Sequence, residues 1–143
     1  MLIVVPETHL DHALSAGHIR FIFDLFKDRN SFFLETVELP ASLPPLPCSL
    51  RGPAVGLPPV PDAEVVMKAR NGRAWPSRMM LGSWAPLDVH TMTVIAGPGA
   101  GHLCVLYTAY GGPAAPREPG DPSLQGAELV ASEAFWAKHA LVG

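Results

Sequence analysis

The chain has little charge, little cysteine and no long apolar run. Only 16% of its 143 residues are Asp, Glu, Lys or Arg, and the formal net charge is −3 at pH 7. A long nucleic acid is gripped by Lys and Arg that neutralise its phosphates, so this balance counts against a broad nucleic-acid groove. A small local anion pocket stays open. The two cysteines, Cys48 and Cys104, form neither a CxxC pair nor a disulfide framework, and one bridge is the most they can make. Cys104 lies in an apolar strand pattern, where a thiol packs as a small hydrophobe. No stretch approaches the ~20 apolar residues of a membrane span. The opening "MLIVVPETHLDH" has too short an apolar run and no basic flank for a secretory signal. The expectation is a soluble cytoplasmic protein with no membrane contact.

Familiar catalytic signatures are missing too. "GPGAG" joins two strands and no Lys-Ser/Thr follows, so it is not a phosphate loop. There is no nucleophile elbow. The "HLDH" at His9–His12, with His18 beyond, lacks the glutamate of HExxH, so no metal and no cofactor is expected. Repeats and a second domain pattern are absent, which leaves one α+β domain over residues 1–143.

What is present is apolar and patterned. Hydrophobic residues make up 48% of the chain, enough for one real core. Leu2–Val5 reads as a strand, with a central position in mind, stopped by Pro6. Thr8 with Asp11 marks a helix start. After Gly17, the residues Ile19, Ile22, Phe23 and Phe26 share one face of a second helix. Phe21 and Leu25 lie off that stripe, so the helix should be covered on more than one side. "SFFLETVELP" reads as a strand ending at Pro40. Residues 40–61 carry eight prolines, too few backbone donors for a central strand or a helix. They should form an ordered, extended loop of polyproline character, either a wrapping connection or a docking strip.

"AEVVMKARNGRAWPSRMML" is the sharpest local signal. Asn71-Gly72 marks a two-residue hairpin, which sets Ala69 against Ala74, Lys68 against Trp75 and Val65 against Arg78. Lys68, Arg70, Arg73 and Trp75 then share a face, with Lys68 laid on Trp75. Val65, Met67 and Arg78 share the other. "VHTMTVIA" and "HLCVLYTAY" form a second hairpin, with His90 set opposite Thr108. A last helix, about Ser132 to Leu141, brings Phe135 and Trp136 to the core. The sum is a twisted antiparallel sheet of five or six strands with helices on one face.

Several residues are candidates for chemistry. His90 is either a satisfied half-buried histidine or a general acid/base, since imidazole titrates near neutral pH. Arg78, facing Val65 and Met67, needs a carboxylate or a bound anion. Glu118 or Asp121 would supply the first, and an oxyanion or phosphate the second. Tyr107, Thr108 and Tyr110 end a strand just before Gly111-Gly112, where hydroxyls can meet a ligand. The loop "APREPGDP" stiffens Arg117, Glu118 and Asp121 with prolines. It reads as an ion-pair clamp around Arg78 or Arg73, or as the wall of an anion site. The Lys68, Arg70, Arg73 and Trp75 face is either a solvated edge or a place to meet phosphate and stack a base.

"FFLETVELP", "RAWPSR", "TVIAGP", "LYTAYGGPAAPREPGDP" and "FWAKHALV" together resemble a family of small stand-alone bacterial proteins of unknown function. That resemblance implies no activity. In layout, the order of helices, antiparallel strands bearing an Arg, a His-Thr strand and a strand ending "YTAY" resembles the barnase–EndoU–RelE class of ribonuclease folds. The resemblance implies metal-independent phosphodiester cleavage by His90, Arg78, Thr108 and Tyr110. Two functions are therefore carried forward. One is an RNase-like enzyme acting on RNA or a small anionic ligand. The other is a non-catalytic protein- or ligand-binding module, with a homodimer through the Trp75 hairpin edge.

Overall fold

The computed structural model describes residues 2–4, 14–29, 31–70, 72–82, 84–99 and 103–143, with backbone only at 2–4, 103 and 104. In chain order the elements are β1 (Leu2–Val4), α1 (Ala16–Phe26), β2 (Phe33–Glu38), β3 (Leu46–Cys48), β4 (Leu50–Arg51), β5 (Val65–Ala69), β6 (Pro76–Met80), β7 (Leu87–Val89), β8 (Thr91–Pro98), β9 (Leu103–Gly111), α2 (Gly126–Trp136) and β10 (Ala140–Leu141). The protein is α+β. Its strands do not form one sheet of five or six but three small ones, ordered β1-β9-β8-β2, β4-β10-β6-β5 and β3-β7. The chain folds as two compact units, Met1–Cys48 with Asp88–Ala114, and Ser49–Leu87 with Ala115–Gly143. None of the described helices is long and apolar enough to cross a membrane.

In the first unit, β8 lies inside the sheet, and β1 lies parallel to β9 at an edge rather than in the centre. Ile22 and Phe26 of α1 pack on Phe33, Met92, Val94 and Leu106, the core of this unit. The Phe26 and Phe33 rings stack at 4.4 Å. Phe21 packs at the margin of that core, whereas Leu25 points to solvent, so the second covering of α1 is partial. The helix start expected at Thr8, and His9 and His12, lie outside the described residues. Cys48 is buried in β3.

The N-terminus of α1 is a capping box in which histidine takes the usual glutamate place. Ser15 Oγ accepts the His18 N–H at 3.3 Å, and His18 Nδ1 accepts the Ser15 N–H at 3.0 Å. The ring proton therefore sits on Nε2 and is donated to the Pro44 carbonyl at 2.9 Å. A fully buried histidine thus joins the helix to the proline-rich segment.

That segment, residues 40–61, is ordered and extended as its composition requires, but it also supplies β3, β4 and a 3-10 turn at Pro53–Val55. Leu46, Cys48, Leu50 and Val60 are buried. Short ladders suit a stretch with so few donors, because only the non-proline residues need pairing.

The β8–β9 register differs from expectation. Thr108 faces Ile95, and Tyr110 faces Thr93. His90 precedes β8, so it is not paired with Thr108. Pairing runs on to Pro98 against Cys104, and a bulge between Ile95 and Ala96 adds one residue to β9. Together these move the partner of Thr108 from position 90 to 95, an odd shift that reverses the faces.

In the second unit, β10 runs parallel to β6 and antiparallel to β4. The last helix spans Gly126–Trp136, earlier than the expected 132–141. Residues 126–131 include good helix formers, Ala127, Glu128 and Leu129. Two side-chain anchors fix the helix. Ser132 Oγ donates to the Arg117 carbonyl at 2.5 Å, and Trp136 Nε1 donates to the Pro116 carbonyl at 3.1 Å. Beyond Lys138 the chain is drawn into the sheet, which overrides local helix propensity at Ala140 and Leu141.

Removing the His18 side chain takes away three partly buried hydrogen bonds, two to Ser15 and one to Pro44, and leaves a hole. His18→Ala should cost about 2–4 kcal/mol in urea unfolding. His18→Gln, which can rebuild the capping box but not the Pro44 link, should recover part of that loss.

Candidate functional site

The site is built on the β5–β6 hairpin of the second unit. The turn forms where Asn71-Gly72 predicts it. Arg73 N–H donates to the Arg70 carbonyl at 3.0 Å, and Gly72 has φ +69°, which glycine adopts without strain. The ladder, however, begins at Ala69 against Pro76 and continues with Lys68 against Ser77 and Met67 against Arg78. Ala74 and Trp75 stand outside it, so the register is two residues off the expected one. An even slip preserves the faces.

The slip has a physical reason in Pro76. Leu81 N–H donates to the Glu64 carbonyl at 2.8 Å, which makes Glu64–Leu81 a hydrogen-bonding pair. Alternation along the ladder then places Ala69–Pro76 at a non-bonding pair, where proline's missing N–H costs nothing.

Glu118 gathers the charges of this region. It is only 5% exposed, and its Oε1 accepts Arg70 Nη2 and Arg73 Nη1, both at 2.8 Å. Its Oε2 accepts the Ser77 hydroxyl. Arg70 Nε also donates to Ser77 Oγ at 3.1 Å, closing the network. The expected clamp therefore exists around Arg73, joined by Arg70 and Ser77, and does not include Arg78. Trp75 packs on Gly120, where an added Cβ would lie 2.8 Å from the Trp75 Cβ. The cation over its ring is Arg73, 5.9 Å from the centroid, and not Lys68. The Trp75 Nε1 is buried and has no hydrogen-bond partner among the described residues.

The rest of the proline loop is held locally. Asp121 Oδ1 accepts the Ser123 N–H at 2.9 Å and its hydroxyl at 2.7 Å, and Arg117 Nη1 donates to Ser123 Oγ at 2.8 Å. The Ser123 hydrogen bonds, backbone first and then side chain, hold the Asp121 carboxyl below the ordinary carboxylate value. Desolvation opposes this, and the positive charges of Arg117 and then Arg73 add to the lowering.

Arg78 pairs elsewhere. Along β6, Ser77 turns to Glu118 and Arg78 to the opposite face. There its Nη1 meets Asp62 Oδ1 at 2.6 Å, Nε donates to the His139 carbonyl at 3.1 Å, and Nη2 to the Val60 carbonyl at 3.2 Å. The expected partners are unavailable, since Arg70, Arg73 and Ser77 occupy Glu118, and Ser123 occupies Asp121. Of the five N–H groups of a guanidinium, three are used by these bonds.

Arg78 also lines a half-open cavity of about 310 Å³, together with Met67, Pro76, Pro119, Trp136 and the acidic residues Glu118 and Glu133. The Arg78 side chain is 16% exposed, and its carboxylate partner Asp62 is 90% exposed. The arrangement is a largely apolar hollow with one mostly buried cation and two acidic residues, Glu118 and Glu133, in its lining. Such a hollow can take an apolar body and hold one anionic group against the guanidinium.

The remaining candidates lie in the first unit. His90 is exposed, and its carbonyl accepts the Leu39 N–H at 2.7 Å. Thr108 and Tyr110 are half-buried in β9. Tyr107 is exposed, with its ring 6.3 Å from that of Phe32. Among the described residues no group of three or more His, Cys, Asp or Glu is placed to hold a metal ion.

Sequence reasoning missed Ser77, Asp62, Glu133 and the wall residues Met67 and Trp136 as parts of a site. Ser77 carried a signal, since a small polar residue between Pro76 and Arg78 in a strand needs a partner. Two further buried polar groups went unnoticed. His139 accepts the Ala54 N–H on Nε2 at 2.9 Å and donates from Nδ1 to the Phe135 carbonyl at 2.7 Å. Arg51 donates from Nη2 to the Ala85 carbonyl at 2.5 Å, while its Nη1 has no partner among the described residues.

A scan against protein-family models finds no match, and searches of curated proteins and of solved structures find no significant match. The two sequence resemblances therefore rest on the quoted residues alone.

Glu118→Gln keeps the shape of the clamp and removes the charge that neutralises two arginines. It should cost about 2 kcal/mol in chemical unfolding, a charge-assisted network discounted for the partial exposure of both guanidinia. In a carboxyl NMR titration Asp121 should have its midpoint below the ordinary value of about 3.9, and Ser123→Ala should move it up. Because the folded value is the lower one, the stabilisation from Asp121 is complete above the unfolded value and is lost as pH falls through the folded one.

Proposed function

We propose that this protein is a non-catalytic binding module whose second unit takes a small, mostly apolar molecule bearing one carboxylate or phosphate. The observation that carries the reading is Arg78. It is a guanidinium of low exposure that uses three of its five N–H groups among the described residues, and it lines a largely apolar cavity. Its protein carboxylate, Asp62, is almost fully in water and can be exchanged for a ligand anion at little cost. The second nearby carboxylate, Glu118, is fully engaged with the hairpin and serves to fix the wall.

The RNase-like reading asks for an imidazole, a guanidinium and hydroxyls around one scissile phosphate. Among the described residues the His90 side chain makes no hydrogen bond that would orient it as an acid or base, so no observation favours that reading. The proposal further takes the chain as one cytoplasmic α+β domain.

Octanoate and octyl phosphate are suitable probes, read by calorimetry and by tryptophan fluorescence through Trp136. Saturable binding of at least one is expected, with octanol much weaker. Arg78→Met should weaken the anionic probe by about 10–100-fold while circular dichroism stays unchanged. Equal binding of octanol and octanoate, or no loss in Arg78→Met, removes the assignment.

A further inference from the structure

The sheet of the second unit ends on β5, and among the described residues nothing pairs its outer side. The hydrogen-bonding pair Glu64–Leu81 fixes which groups point outward. Val66 and Lys68 bond inward to β6, so Met67 and Ala69 turn both backbone groups outward, and Val65 turns out its carbonyl. The Val65 N–H is retained by the Asp62 carbonyl. Natural sheets blunt such an edge with proline, a bulge or several charges. β5 has no proline and no bulge, and it exposes 39% of Val66 and 59% of Met67.

We propose that this edge pairs with the β5 edge of a second copy, antiparallel, about a two-fold axis through Val66. The sequence Glu64-Val65-Val66-Met67-Lys68 is self-complementary only in that register. Outward residues must face outward residues, so Val65 meets Met67 of the second copy, and each Met67 N–H donates to a Val65 carbonyl. Val66 then faces Val66. Glu64 faces Lys68 of the second copy at both ends, and opposite charges so placed attract. Both side chains are exposed, and neither has a partner among the described residues.

Other registers are worse. An axis through Met67 sets Glu64 against Arg70, whose guanidinium is already bound to Glu118, and sets Val66 against Lys68. An axis through Lys68 puts like charges face to face. The pairing is isologous, so it closes at a dimer and does not propagate. Trp75, the edge residue favoured by sequence reasoning, is half-buried over Gly120 and takes no part.

Sedimentation equilibrium of the full chain from about 10 μM to about 1 mM covers the range expected of so short a ladder. The wild type should shift from one chain mass toward two. Glu64→Lys and Lys68→Glu each oppose like charges at both ends of the pairing, and each should weaken self-association about tenfold or more. An equimolar mixture of the two variants restores every opposite-charge pair and should form a heterodimer at least as well as the wild type. Both positions are exposed, and thermal melts confirm that the variants fold. A wild type that stays monomeric throughout overturns the proposal and leaves the edge to a foreign strand. Single variants that associate like the wild type, or a mixture that does not recover, overturn it as well.

Discussion

A buried carboxylate organises the hairpin and proline loop of the second unit. Removing Glu118 from water costs several kcal/mol on its own. The cost is offset because Arg70, Arg73 and Ser77 deliver charge-assisted hydrogen bonds to both of its oxygens. All three donors come from one hairpin, and the acceptor comes from a loop about forty residues further along. The bonds therefore do more than neutralise charge. They fix the loop against the hairpin and set Pro119 and Gly120 as one wall of the cavity. The prolines of "APREPGDP" make this possible at low entropic cost, since a stiff loop has fewer states to lose.

Strand β6 shows how one short element serves two purposes. Its residues alternate, so Ser77 locks the clamp while Arg78 enters the cavity. The helix is tied down by Ser132 and Trp136, and Trp136 also lines the hollow. A ligand would meet a surface whose parts are already held, which limits the ordering cost of binding.

Local signals in the sequence proved legible, and long-range ones did not. The Asn-Gly turn, the buried stripe of Ile22 and Phe26 and the β2 strand follow from neighbours a few residues apart. The clamp was foreseeable in kind, because a stiffened acid next to a basic hairpin asks to be paired. What escaped was count and partner. Two residues outside the β5–β6 ladder, and one bulged residue in β9, moved every cross-strand pair. The exchange of Asp62 for Glu118 as the partner of Arg78 followed from a competition that no local pattern records. Three hairpin donors claim Glu118 first. The division into three small sheets depends on β3, β4 and β10, each two or three residues long and too short to carry a period.

The modest charge of the chain takes on a local meaning once the pairs are known. A nucleic-acid groove needs cations free to meet phosphates along a path. In the second unit Arg70 and Arg73 are spent on Glu118, Arg78 lies against Asp62, and Arg117 is bound to the Asp121–Ser123 turn. Arg51 is buried on the Ala85 carbonyl. Most of these basic residues are thus held by an acid, a hydroxyl or a carbonyl. Such a distribution leaves few of these cations free to meet phosphates. It can still offer one guanidinium to one small anion, and Arg78 is the residue whose surroundings, a largely apolar hollow and a carboxylate held mostly in water, suit that exchange.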